Sequence, residues 1–260
     1  MKNDGASVVK DHRVASHDEW IVARKALLAK EKELTRLRDE LNEQRRALPW
    51  EPVTKKYVFD GPDGKEDLEQ LFDGRSQLVI YHAMFDPKHA TARTPWTSDA
   101  ACKMCSFWMD HFGGITTHLN QRDVTLIAAS RAPVDKIAAY QRRMGWTFKW
   151  VSTGDGDFNA DCGVSFRADE IAGQKANYNY GVGGSPPLSE LPGISVFYRD
   201  PSGRVFHTYS TYARGLDMLN LAYHYLDIVP KGRDEGDGGN GMSWVRRRDE
   251  YAASQAGACH

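Results

Sequence analysis

The chain has 260 residues, with 41% hydrophobic and 27% charged side chains, a composition that excludes a disordered or collagen-like polymer and leaves enough apolar material for one large core. Lys plus Arg total 34 and Asp plus Glu 35, so a net charge of −1 supplies no basic field for nucleic acid or anionic lipid. The longest apolar run, 78–85, contains His82 and falls far short of the ~20 residues of a membrane span, and the first 16 residues show no secretory signal, so the expectation is a cytoplasmic protein that binds neither membrane nor nucleic acid.

After a polar leader, a helix begins that Ser16 or Asp18 can cap, with Glu19 adding negative charge to its first turn. No Gly or Pro interrupts it before Pro49. Trp20, Leu27, Leu34, Leu41 and Leu48 recur every seventh residue; Ala23 and Leu37 supply part of a second row, which Lys30 and Gln44 break. This predicts an amphipathic helix of about 30 residues, roughly 45 Å long. It either packs on its own domain or serves as an arm for a homodimer.

A short strand is predicted at 56–59, followed by the turn Asp60-Gly61-Pro62-Asp63-Gly64 and one or two helical turns at 67–72. Residues 77–82 (QLVIYH) read as a buried strand, 83–101 as an irregular segment, and 105–119 as a helix weakened by Gly113-Gly114. A second buried strand is predicted at 124–129, a helix at 134–144 between Pro133 and Gly145, and a third strand at 146–151. After a loop-rich stretch, 194–198 and 204–209 form a hairpin across Asp200-Pro201-Ser202-Gly203, and 216–226 a closing helix. The chain thus divides into a leader and helix over 1–48, a folded domain over 49–230 and a mobile tail over 231–260, whose last part could dock through Trp244 and Tyr251. A βαβ unit followed by two strands and a helix gives an α/β fold with a central mixed sheet, the thioredoxin plan.

The strongest chemical signal is Cys102-Lys103-Met104-Cys105. Four cysteines are too few for a disulfide scaffold, and a close pair in a reducing compartment points to redox or metal chemistry. With Cys102 at a helix start, unpaired N–H groups favour its thiolate, the species that attacks disulfides. Cys105, one turn later, is placed to resolve the mixed disulfide. The competing readings are a structural Cys pair and a zinc site, for which a second ligand pair at short spacing is missing. Haem attachment requires His after the second Cys, where Ser106 stands. His82 and His89 read as proton shuttles or satisfied structural histidines, and Asp86 and Asp99 as an assisting carboxylate or exposed loop acids. Cys162 reads as a structural residue and Cys259 as incidental. Arg142-Arg143 and Arg246–Arg248 read as solvated faces.

These residues resemble a thioredoxin-like family called domain of unknown function 899, labelled a predicted dithiol–disulfide oxidoreductase. The resemblance runs from Trp20 to Asp249 through the long helix, KYVFDGPDG, LFDGRSQLVIYHAMFDP, CKMCSFW, RDVTLIAASRAP, YQRRMGW, DFNADCGVSF, LPGISVFYRD, VFHTYSTYARG and LDIVPKGRDE. The middle also resembles the peroxiredoxin branch of the superfamily. The resemblance implies a thioredoxin-like fold and a dithiol enzyme with Cys102 as nucleophile and Cys105 as resolving thiol. It needs no bound cofactor or metal, acts on a disulfide-containing protein or small thiol, and draws on a thioredoxin-type or glutathione donor. It further implies a cis-proline opposite the cysteines whose neighbour pairs with substrate; Pro192 is the nearest candidate, with Gly193 or Ile194 in its place. Two departures stand out: Lys-Met separates the cysteines, and Asp99 occupies the place of the peroxiredoxin Thr or Ser three residues before the thiol. The alternatives are a non-enzymatic redox-responsive binding protein and a thiol peroxidase using Cys102.

Overall fold

The computed structural model describes residues 12–182, 184, 186–235 and 241–251. The chain enters through α1 (His17–Arg46). Ser16 Oγ accepts from the Glu19 N–H while the Glu19 carboxylate accepts from the Ser16 N–H, so two of the helix's orphan donors are satisfied reciprocally. None of its residues is buried. Its C-terminal end touches the domain where the Arg45 guanidinium lies over the Tyr209 ring, 5.6 Å from the centroid.

The domain is built on one eight-stranded sheet in the order β1-β8-β7-β4-β5-β6-β2-β3. The strands are β1 (Glu51–Pro52), β2 (Val58–Gly61), β3 (Gly64–Asp67), β4 (Gln77–His82), β5 (Val124–Ser130), β6 (Trp150–Ser152), β7 (Gly193–Arg199) and β8 (Val205–Tyr212). β4, β5 and β6 pair in parallel, and every other pairing is antiparallel. The first parallel crossover carries α2 (Lys103–Met109) and α3 (Phe112–Asn120), the second α4 (Val134–Met144). The four central strands β8-β7-β4-β5, with β7 opposed to both its neighbours, are the thioredoxin arrangement. The fold is α/β and thioredoxin-like, with a long N-terminal helix.

Period-2 alternation sorts the side chains onto two faces. Leu78, Ile80, Ile127, Ala129 and Phe197 pack with Phe59, Phe72 and Phe158 on one. Tyr81, Leu126, Ala128 and Ile194 pack on the other with Trp108, Met109, Tyr140, Trp146, Trp150 and both close cysteines.

Several elements differ from their sequence reading. The 60–64 turn closes a hairpin whose second strand, β3, ends on Asp67, the first residue of the expected helical turns; only Gln70–Phe72 forms a single 3-10 turn. The helix expected over 105–119 breaks at Asp110–His111 rather than at Gly113-Gly114. At the break, Asp110 Oδ1 accepts from the Trp146 indole at 2.9 Å, holding the turn against α4's C-terminal flank. The closing helix is a 3-10 run, Ala213–Leu219, followed by a short α-helix, Leu221–Leu226. Of the expected tail, residues 241–251 lie against the domain: Val245 is fully buried and Arg247 is 8% exposed.

Candidate active site

β4 runs out at His82, and the segment after it crosses the sheet's end to deliver Cys102 as the N-cap of α2. Met84 grips both cysteines at once. Its carbonyl accepts from the Cys102 N–H at 2.9 Å, and its N–H donates to Cys105 Sγ at 3.4 Å. One turn into α2, the Ser106 N–H and hydroxyl both reach the Cys102 carbonyl at 2.9 Å, and the Ser106 hydroxyl also pairs with the Tyr140 phenol at 2.8 Å. The Tyr81 phenol, on the inner face of β4, meets Cys105. Both cysteines are free thiols, and both are buried, at 0% and 1% exposure.

The cover comes from the far end of the chain. Arg247 donates two hydrogen bonds to the Ala101 carbonyl, at 3.1 Å through Nε and 2.7 Å through Nη2, and its Nη1 pairs with Glu250 at 2.9 Å. Lys103 Nζ reaches the Ser243 carbonyl at 3.5 Å, and Trp244 packs edge-on against Phe107.

This setting separates two neighbouring thiols. Burial by itself raises the Cys102 thiol. Hydrogen bonds from the Cys105 thiol and from the Cys105 and Met104 N–H groups, together with the positive field of Arg247, outweigh that and hold it below the ordinary thiol range. Burial and the adjacent Cys102 push Cys105 well above that range, against weaker opposition from Met84 and Tyr81. The pair is thus split: Cys102 is the more readily ionised of the two, and Cys105 is the one that keeps its proton and donates it in a hydrogen bond to Cys102.

The other sequence candidates lie elsewhere. His82 sits on the opposite face of the sheet, between Asn159 Oδ1 at 3.1 Å and Ser195 Oγ at 3.0 Å. Burial lowers its pKa to about 4 and keeps it neutral. His89 contacts the buried Asp86 at 2.6 Å, and Arg131 contacts the same carboxylate at 3.3 Å. Asp99 pairs at the surface with Lys136. Among the described residues neither Asp86 nor Asp99 bonds to a cysteine sulfur. Cys162, the C-cap of α5 (Phe158–Asp161), lies on the His82 face, and burial pushes its thiol up to about 12. Cys259 lies outside the described residues.

The expected cis-proline is not met: no described peptide bond is cis. The Pro192 carbonyl accepts from the Tyr178 phenol at 2.7 Å. Gly193 and Ile194 are buried and paired on both sides, with His82 and Tyr81 of β4 and with Tyr212 and Thr211 of β8. A Cβ on Gly193 would come within 2.8 Å of the Tyr212 ring, so glycine is required for that close approach. This stretch therefore has no unpaired edge to offer a substrate.

Sequence reasoning missed Tyr81, Met84 and Arg247. Tyr81 carried a signal, being the inward position of an alternating strand that ends near the cysteines. Arg247 carried none, because nothing local ties it to Ala101. Among the described residues no group of His, Cys, Asp and Glu converges as a metal-ligand set, and no helix is long and apolar enough to cross a membrane.

The comparison with curated proteins gives no match. Among solved structures the chain is similar to peroxiredoxin Q of Xanthomonas campestris, with a TM-score of 0.43 and 16% identity, over 67% of this chain and 95% of that one. It is also similar to the peroxidoxin BcpB of Mycobacterium tuberculosis, with a TM-score of 0.41 and 15% identity, over 67% and 94% of the two chains. A yeast mitochondrial 1-Cys peroxiredoxin aligns with a TM-score of 0.36 and 18% identity, over 69% of this chain and 78% of that one. A family model described as a bacterial protein of unknown function, DUF899, matches residues 9–251, and the chain belongs to that family.

Proposed function

We propose that the chain is a thiol–disulfide oxidoreductase in which Cys102 attacks and Cys105 resolves. The observation that carries this reading is the placement of two buried free thiols one helical turn apart, Cys102 as the N-cap of α2 and Cys105 within it, in surroundings that lower the first and raise the second. The attacking group must be a thiolate, and the resolving group must stay protonated until the mixed disulfide exists.

In the first step the Cys102 thiolate attacks one sulfur of a substrate disulfide. A Cys102–substrate S–S bond forms, the substrate's own S–S bond breaks, and its second sulfur departs as a thiolate. With the negative charge on Cys102 consumed, the main electrostatic brake on Cys105 ionisation is gone. Cys105 attacks Cys102 Sγ and its proton goes to the departing substrate sulfur, leaving a Cys102–Cys105 disulfide. Two electrons have passed to the substrate. A thioredoxin-type dithiol or two glutathione molecules would return them. Substrates are thus disulfide-bearing proteins or small disulfides, and with Cys102 fully buried a protein reaches it only when its surroundings open.

Complete burial of both sulfurs favours a second reading, reduction of a hydroperoxide, because an oxidant of a few atoms needs the least opening. There the thiolate attacks one peroxide oxygen, the O–O bond breaks, the other oxygen leaves and takes a proton to become water or an alcohol, and a sulfenic acid forms on Cys102. Cys105 then displaces water to give the same disulfide.

Turnover of insulin disulfide, glutathione disulfide and hydrogen peroxide by wild type, Cys102→Ser and Cys105→Ser tests both readings. The expected result is turnover by wild type, a trapped mixed disulfide in Cys105→Ser and no adduct in Cys102→Ser. Absence of any thiol turnover in wild type overturns the enzyme reading. Turnover of peroxide alone selects the second.

A further inference from the structure

We propose that α1 is one half of a parallel, in-register two-stranded coiled coil, so that the chain pairs with a second copy of itself. The proposal does not depend on the thiol chemistry. A helix of 30 residues has here no buried residue. Helices in water draw most of their stability from packing an apolar face, and this one has a face to pack. Trp20, Leu27, Leu34, Leu37 and Leu41 are each about half exposed, at 55%, 53%, 58%, 55% and 45%. They fall on a seven-residue repeat, with Trp20, Leu27, Leu34 and Leu41 at its first core position and Ala23 and Leu37 at its second.

The charges flanking that stripe identify both occupant and orientation. One flank carries Glu19, Glu33 and Glu40; the other carries Arg24, Arg38 and Arg45, together with Glu31. In a parallel in-register pair, each residue of the first flank faces the residue five positions later on the partner's second flank. Glu33 then meets Arg38, twice by symmetry, while Glu19 meets Arg24 and Glu40 meets Arg45 only as Glu19, Arg24 and Arg45 exchange their contacts with Ser16 and Arg13, with Glu31, and with Tyr209. An antiparallel pair instead sets each flank against its own kind, glutamates against glutamates and mostly arginines against arginines. The stripe is therefore complementary to itself in one orientation. Lys30 and Gln44, at the second core position, weaken the seam. Their long stems can run along apolar neighbours while their polar ends reach water, and each meets its own copy only when the register is kept.

Sedimentation velocity of the full chain at micromolar concentration tests the proposal, and a dimer is expected. Leu34→Glu with Leu41→Glu should give a monomer whose domain stays folded, its buried Cys102 and Cys105 reacting with a thiol reagent as slowly as in wild type, since neither leucine is buried in the domain. Glu33→Arg alone, and Arg38→Glu alone, should each weaken the dimer roughly tenfold by setting like charges together. An equimolar mixture of the two should recover wild-type affinity as a heterodimer. Leu34→Cys should form a disulfide between its two copies on mild oxidation, identified by peptide mapping. A monomeric wild type, or a dimer that survives the leucine pair, overturns the proposal. So does a dimer that ignores the charge reversals or never forms the 34–34 link.

Discussion

Each face of the sheet sets a cysteine at the end of a short helix, fully buried at Cys102 and half-buried at Cys162, and the two are treated in opposite ways. On one face Cys102 begins α2, receives hydrogen bonds from N–H groups and from the Cys105 thiol, and feels the positive charge of Arg247. On the other face Cys162 ends α5, lies against the Ser195 hydroxyl and has the carboxylate of Asp161 beside it. Burial raises both thiols. Only at Cys102 is there enough opposing donation to win, while Cys162 is left at about 12. Solvent exclusion therefore does not by itself make a thiol inert; the sign of what surrounds it decides.

The sharpest way to break this contrast is to exchange each thiol for a hydroxyl. Cys102→Ser should abolish disulfide or peroxide turnover, a loss of at least roughly a thousandfold for a removed nucleophile. Cys162→Ser should leave turnover within about twofold of wild type. Steady-state assays with both substrates check this, and equal losses would erase the distinction between the faces.

The His82 face makes a second, thermodynamic prediction. His82 is held neutral with a pKa lowered to about 4, whereas in the unfolded chain it titrates near its ordinary 6.5. Between those values the unfolded chain binds more protons, so stability falls as pH drops from about 6.5 to about 4, by up to roughly 3 kcal/mol. His82→Asn should be less stable at neutral pH and should lose this part of the slope. Denaturant melts across that range measure it, and an unchanged slope would show that His82 is not the titrating group.

A smaller effect sharpens the Cys102 side. Arg247→Gln removes the positive charge and loosens the residues packed beside the site, so it should raise the Cys102 pKa. It should also speed alkylation at high pH, where charge no longer limits the reaction. The smallest effect is expected from Tyr81→Phe, which takes a phenol from beside Cys105. It should slow release of the mixed disulfide a few-fold and leave the Cys102 attack rate unchanged, as stopped-flow kinetics would report.

Much of the fold could be read from local pattern. QLVIYH and VTLIAAS announce buried parallel strands, Pro133 and Gly145 bracket α4, and the box of Ser16 with Glu19 starts α1. The cysteine pair was legible for the same reason, since its spacing places both sulfurs within one turn of whatever helix follows. What escaped was set by distant contacts. The helix break at Asp110 depends on an indole 36 positions away, and the Arg247 bonds to Ala101 span 146 positions. A cluster of three arginines in a polar tail reads as a solvated face, and only the fold shows that the middle one is buried. The long helix was legible as a helix, but periodicity alone left its partner open.

The most direct test of the central claim is the pH dependence of alkylation at each cysteine of the wild-type protein, followed residue by residue by mass spectrometry. Cys102 should titrate below the ordinary thiol value of about 8.5, and Cys105 and Cys162 above it. A Cys102 that titrates at or above that value, alongside the other two, would contradict the account.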